Sequence, residues 1–188
     1  MRPDDCPFVD PYWAFYWPGG QAIARYILDN PSVVRGRVVL DFGCGCGAST
    51  VAAVMCGAEA VLANDIDQNA LYATLLNSRL NGFTHSQLHS VQLLSDDLLQ
   101  TDLKVEADVI LVGDMFYDDQ FGATLLQWLT GLLRQPTATS VLIGDPGRHA
   151  LDVSRAHFRR LSTYALPPYV LKQHYGYNSV SVLKLLSG

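Results

Sequence analysis

VVLDFGCGCGASTVAAVMCGAEAVLANDID, Val38 to Asp67, is the stretch from which the rest of the chain is read. Val38, Val39 and Leu40 make a short apolar run that ends in Asp41, and glycines follow at alternate positions, Gly43, Gly45 and Gly47. That order predicts a strand running into a tight turn. Ala48 to Met55 is small, apolar and free of Pro, which predicts the helix leaving the turn; Ala60 to Ala63 predicts a second buried strand, with Asp65 just past it. The unit is β-α-β, and glycine suits its turn because the backbone there needs positive φ and because a ligand must approach it closely.

Asp65 lies 18 residues after Gly47, where a carboxylate at the end of the second strand can accept the hydroxyls of a ribose. Gly43, Gly45 and Ala48 also fit the looser dinucleotide pattern G-x-G-x-x-G/A, so an NAD-binding oxidoreductase stands as one alternative. Asp41 argues against it. An acid two residues before the first glycine repels a pyrophosphate and suits a ligand with a cationic amino-acid end. The run D-x-G-x-G-x-G therefore favours S-adenosyl-L-methionine, with S-adenosyl-L-homocysteine as product, and it resembles motif I of the seven-β-strand methyltransferases.

The chain has 188 residues, 49% of them hydrophobic and 16% charged. That composition fits one domain able to bury about 70% of its extended surface. The net charge of −5 lacks the clustered excess of Lys and Arg that a nucleic-acid partner requires. No apolar run reaches bilayer length, so no membrane span is expected, and MRPDDCPF carries two acids where a targeting peptide would be basic, so no such peptide is visible here, as in a chain that begins after a removed leader. Cysteines at 6, 44, 46 and 56 show no C-x-x-C spacing and are read as reduced thiols. His85 and His89 lack partners at ligand spacing and are read as a solvated pair, with no metal. A monomer is expected.

Outward from the central unit, Tyr12, Trp13, Phe15, Tyr16 and Trp17 crowd five aromatics ahead of Pro18-Gly19-Gly20. They read either as a hydrophobic lid on the core or as rings flanking a cofactor, where an indole face suits a sulfonium or ammonium. The spacing predicts helices over 21–28 and 69–80, each stopped by its following Asn, and a strand over 91–94. Asp108 to Asp119, DVILVGDMFYDD, holds the most hydrophobic strand, 109–112. Asp114 then emerges at its carboxyl end, where open α/β sheets bind ligands. With Tyr117 it can grip an amine, Asp114 as acceptor and Tyr117 as aromatic wall; the competing reading makes Asp114 the cap of a helix over 120–133. A strand over 140–144 leads into the turn Asp145-Pro146-Gly147-Arg148. A helix is expected over 151–160, then strands over 161–166 and 180–185 that close the sheet as a hairpin.

WAFYWPGGQAIARYILDNP, GDMFYD and LIGDPGR resemble the corresponding segments of the family 16 methyltransferases, and in particular of the branch that acts on a flavoprotein. The resemblance implies a Rossmann-like α/β fold with a seven-stranded, mostly parallel sheet, an antiparallel C-terminal hairpin and helices on both faces. One domain would comprise an aromatic segment and helix (1–31), a cofactor-binding core (36–150) and a C-terminal helix and hairpin (151–188). It implies a protein-lysine N-methyltransferase acting on the β-subunit of electron transfer flavoprotein, in the mitochondrial matrix of a eukaryote or the cytoplasm of a bacterium; a small-molecule N-methyltransferase is the alternative with the same fold. It further implies that Trp17, Asp41, Gly43, Gly45, Gly47 and Asp65 bind the cofactor, that an acid after the third strand, Asp96 in preference to Asp97, accepts the adenine amino group, and that Asp114 and Tyr117 serve catalysis.

Overall fold

The computed structural model describes residues 7–8, 11–101, 106–134, 140–151, 156–168 and 176–187. Its sheet has seven strands: β1 (Val38–Phe42), β2 (Ala60–Asn64), β3 (Val91–Leu94), β4 (Val109–Gly113), β5 (Ser140–Asp145), β6 (Phe158–Ala165) and β7 (Ser179–Leu185). Their spatial order is β3-β2-β1-β4-β5-β7-β6. β1 to β5 are parallel, while β7 enters antiparallel between β5 and β6. The order reverses between β1 and β4, which opens a crevice at their carboxyl ends, the place where sheets of this type bind ligands. The Rossmann-like α/β fold read from the sequence is the fold observed.

Among the described residues five α-helices accompany the sheet: α1 (Pro18–Asp29), α2 (Ala48–Met55), α3 (Gln68–Leu80), α4 (His85–His89) and α5 (Asp119–Leu133). Because β1 and β4 are covered on both faces, they are apolar nearly throughout, and alternate residues enter two separate cores. Val39, Leu111 and Leu142 pack with Ile23 and Ile27 of α1 and Ala52 and Ala53 of α2. Leu40, Ile110, Val112 and Ile143 pack with Phe116 and with Leu125 and Leu129 of α5. Helix boundaries follow local chemistry. Pro18 begins α1 at a position where its missing N–H is no loss, Asp67 accepts the Asn69 amide at the start of α3, and Asp118 accepts the Phe121 amide at the start of α5.

The expected helix over 151–160 is not what forms at its far end. Residues 152–155 lie outside the described residues, and Phe158, Arg159 and Arg160 belong to β6, paired with Leu185, Lys184 and Leu183. An irregularity between Arg160 and Ser162 adds one residue to β6, so the period-2 pattern that marks a strand is broken at its centre. His85 and His89 fall on α4, a single turn begun by a capping box in which Thr84 and Gln87 satisfy each other's amides. Among the described residues no group of acids, His and Cys is arranged to hold a metal, and no helix is long and apolar enough to cross a membrane.

One contact fixes α1 against the sheet. A Cβ on Gly19 would stand 2.1 Å from the Gly144 carbonyl oxygen, and a Cβ on Gly144 would stand 2.2 Å from that of Gly19. Backbone touches backbone there, which only glycine on both sides permits. Gly144→Ala is expected to destabilise by about 3 kcal/mol or more, lowering Tm by roughly 6–12 °C. Gly131→Ala, on α5 where an added Cβ meets nothing within 4 Å, is expected to stabilise by about 0.5–1 kcal/mol. Paired thermal melts check both.

Candidate cofactor and substrate site

Gly43, Gly45 and Gly47 all adopt positive φ, at 65°, 53° and 82°, so the turn after β1 has the backbone its sequence predicted. What crowds these glycines is the protein itself. An added Cβ would stand 2.5 Å from the Met115 sulfur at Gly43, 3.4 Å from the Trp13 carbonyl at Gly45 and 2.6 Å from Thr74 Oγ1 at Gly47. The aromatic segment therefore lies directly over the loop. Phe15, Tyr16 and Trp17 form one wall of a cleft of about 50 Å³, and Asp41, Gly43, Gly45 and Ser49 line the other side. Of the residues read as cofactor-binding, Trp17, Asp41, Gly43 and Gly45 meet in this cleft; Gly47, Asp65 and Asp96 lie outside its lining.

Asp41 is 3% exposed, and its Oδ2 accepts the Thr50 hydroxyl at 2.7 Å. Burial outweighs that hydrogen bond and pushes its pKa up to about 6. Asp65 anchors the loop: its two oxygens accept the amides of Gly45 and Asp67, each at 3.0 Å, and burial raises its pKa as well. After β3 the acid pair divides its roles. Asp97 accepts the Leu99 amide and the Gln100 side chain and so caps the turn, whereas Asp96 is exposed, makes no side-chain hydrogen bond among the described residues, and is held by its carbonyl to Asn64 Nδ2 at 2.9 Å.

Asp114 has the one positive φ outside glycine among the described residues, 59°, and is 6% exposed. The reading of it as the cap of α5 is overturned, since Asp118 does that; Asp114 Oδ2 instead accepts the amides of Gly19 and Gly20 at the start of α1. Its other oxygen pairs with Arg148 Nη2 at 2.9 Å. Desolvation raises its pKa, opposed by Arg148 and the two amides. Tyr117 is 55% exposed and stacks on Phe121 with centroids 5.3 Å apart; it and Asp114 lie outside the lining of the cleft, although Gly20 and Gly113 beside Asp114 belong to it.

Two residues of this edge were not singled out as functional from sequence. The Arg148 guanidinium sits 5.7 Å from the Trp17 ring centroid and 5.8 Å from that of Tyr177. Asp145 is 2% exposed; Oδ1 accepts the amides of Gly147 and Arg148, Oδ2 is buried without a partner, and burial pushes the pKa to about 6. The turn D-P-G-R was legible at the carboxyl edge, but no spacing rule ties Arg148 to an acid 34 residues before it. Four carboxyl groups, Asp41, Asp65, Asp114 and Asp145, thus stand at or just past the carboxyl ends of their strands, while Arg148 pairs with Asp114 and lies beside Asp145, an excess of acid that suits a cationic ligand.

Residues 23–113 match the family described as ribosomal protein L11 methyltransferase (PrmA). The N-methyltransferase NodS from Bradyrhizobium japonicum, solved with S-adenosylhomocysteine, superposes with a TM-score of 0.65 at 13% identity, covering 95% of this chain and 93% of its own. The ribosomal protein L11 methylase of Lactobacillus delbrueckii gives 0.56 at 20% identity, covering 89% and 79%. These two likenesses concern the fold alone. In sequence, the electron transfer flavoprotein β-subunit lysine methyltransferase homolog of Caenorhabditis elegans is 43% identical and covers 97% of this chain and 81% of its own length. The enzymes of that name from Danio rerio and Homo sapiens are 46% and 42% identical, each covering 96% of this chain and 68% and 67% of theirs. Identity at that level over nearly the whole chain places it in a family: this protein belongs to the electron transfer flavoprotein β-subunit lysine methyltransferases.

Proposed function

We propose that the chain transfers methyl groups from S-adenosyl-L-methionine to lysine side chains of a protein substrate, the β-subunit of electron transfer flavoprotein, in the mitochondrial matrix. The observation that carries this reading is the identity of 42–47% with relatives of that name, spread over nearly the whole chain. The site fits the cofactor. Glycines at positive φ let a ligand approach the loop backbone closely, Asp41 offers a buried carboxylate for the cationic amino-acid end, Asp65 and Asp96 offer carboxylates for ribose and adenine, and Trp17 offers an indole face. When bound, S-adenosylmethionine supplies a methyl group activated by its sulfonium charge. A cleft of about 50 Å³ is smaller than the few hundred Å³ such ligands fill, so binding requires it to widen, and the exposed Phe15 and Tyr16 rings are the part of its wall free to turn outward.

The chain's own task is to present a neutral amine. At pH 8 a free lysine is only about 0.4% neutral, given its ordinary pKa of about 10.4. Desolvation beneath the aromatic segment favours the neutral form, and a carboxylate orients it. A carboxylate has about four acceptor positions, and Gly19, Gly20 and Arg148 occupy three of those on Asp114. The fourth is left for the amine, with Tyr117 as its aromatic wall.

Incubation with labelled cofactor and either the purified flavoprotein subunit or a free amine tests the assignment. Labelling of the subunit's lysines is expected; methylation of the free amine alone would return the small-molecule reading, and binding of NADH without S-adenosylhomocysteine the oxidoreductase one. Asp114→Asn keeps an acceptor for the two amides while removing the charge. It is expected to reduce single-turnover methylation by about 100-fold or more and to leave S-adenosylhomocysteine affinity within about threefold. Near-normal turnover at saturating substrate would make Asp114 purely an anchor for α1.

Asp41 gives a pH signature. Its folded pKa of about 6 lies above the ordinary value of 3.8, so the folded ligand-free protein retains a proton that the unfolded chain releases. The Asp41 contribution to ligand-free stability is therefore full below about pH 4 and is lost as pH rises through 6. Binding of a cationic amino group favours the ionised form, so S-adenosylhomocysteine affinity is expected to weaken up to about tenfold from pH 7.5 to pH 5, with proton release on binding near pH 6. Calorimetry in buffers of different ionisation enthalpy reads both, and Asp41→Asn should flatten the profile.

A further inference from the structure

At the amino ends of the strands, the opposite edge of the sheet from the glycine loop, a second hollow of about 250 Å³ opens between the end of α1 and strands β5, β7 and β6. Arg37, Arg159 and Lys184 converge on it, together with Ser140, Tyr26 and the apolar floor at Leu142. The register makes the convergence obligatory. Arg159 and Lys184 are direct cross-strand partners, and Lys184 is in turn paired with Leu142, so all three project from the same face in one row.

Two like charges directly opposed across a strand pair destabilise it unless something neutralises them. Nothing in the protein does so among the described residues. None of the three cations forms an ion pair, and the acids on the adjoining strand ends leave them unpaired. Asp108 is held by the Val38 amide at 2.8 Å, and Glu59 enters no ion pair. This happens in a chain whose net charge is −5 and which has only 13 Lys and Arg. Three cations, two of them guanidinium forks, with hydroxyls at Ser140 and Tyr26 beside them, match the charge and the multiple acceptors of a phosphate dianion better than the single charge of a carboxylate. The volume leaves room for a small organic moiety against Leu142.

We infer that this hollow is a binding site for a small phosphate-bearing ligand, separate from the crevice at which methyl transfer is proposed. β5 is six residues long, which sets the two sites about 17–20 Å apart at opposite ends of the same strands. The inference does not rest on the proposed reaction.

The test uses the whole chain and titrates inorganic phosphate, then pyrophosphate, against chloride at matched ionic strength and against citrate. Readouts are Tm and the backbone amide resonances of Ser140 and Lys184. Saturable shifts with pyrophosphate, stronger than with citrate and not reproduced by chloride, are expected. Arg159→Ala and Lys184→Ala should each weaken pyrophosphate binding at least tenfold while leaving S-adenosylhomocysteine affinity unchanged. Arg159→Glu supplies an internal partner for Lys184, and it should raise the ligand-free Tm at low salt and abolish the phosphate response. Shifts matched by chloride, tighter binding of citrate, or an Arg159→Glu protein that melts lower and still binds pyrophosphate would each overturn the assignment.

Discussion

The carboxylate of Asp114 seated on the first amides of α1 holds together parts of the molecule that are far apart in sequence. Those amides form the positive end of the helix, where an anion is favoured. The seat exists because Gly19 and Gly144 let the helix backbone descend onto β5, and because Asp114 adopts a left-handed conformation that Asp tolerates better than most residues. Arg148 closes the group from the other side and brings its loop within reach of Trp17. The aromatic segment immediately precedes α1, so its position over the glycine loop is inherited from this seat. One acid therefore aligns the roof of the crevice, the loop after β5 and its own remaining acceptor position.

Charge is distributed unevenly along the strands. The carboxyl edge carries Asp41, Asp65, Asp114 and Asp145, with Arg148 paired to Asp114, and three of these acids are nearly inaccessible to water. The amino edge gathers Arg37, Arg159 and Lys184. The strands between them are apolar and covered on both faces, which leaves little polarisable material to screen one edge from the other. A modest net charge of −5 hides this separation.

Much of the fold was legible because its signals are local. The apolar run, the alternating glycines and the small-residue helix from Val38 to Asp65 place β1, α2 and β2 almost residue for residue, and the strands at 91–94 and 109–112 stand out by hydrophobicity alone. Signals fail where pairing partners decide. Residues 158–160 were assigned to a helix, but β7 draws them into the sheet, and the extra residue near Leu161 conceals their alternation. The short α4 has too few turns for periodicity to register, and its capping box is its only mark. Within the site, the acids were legible as residues at strand ends, but their partners were not. The bond from Asp114 to Gly19 spans 95 positions and depends on how α1 lies across β5, which no window of sequence contains.

The placement of β7 makes the molecule's assembly order differ from its order of synthesis. Residues 179–185 leave the ribosome after β5 and β6, yet they lie between those two strands and supply the ladder for the far side of β5, whose end carries Asp145. Until they arrive, β5 is an open edge bearing apolar residues, a template for unwanted pairing in a nascent chain. β1 to β4 precede β5 in the chain and pair with one another without β7, so the half of the crevice that carries the glycine loop does not depend on it. The loop that holds Arg148 against Asp114 leaves the end of β5, so the strand it departs from is fully paired only once β7 is in place.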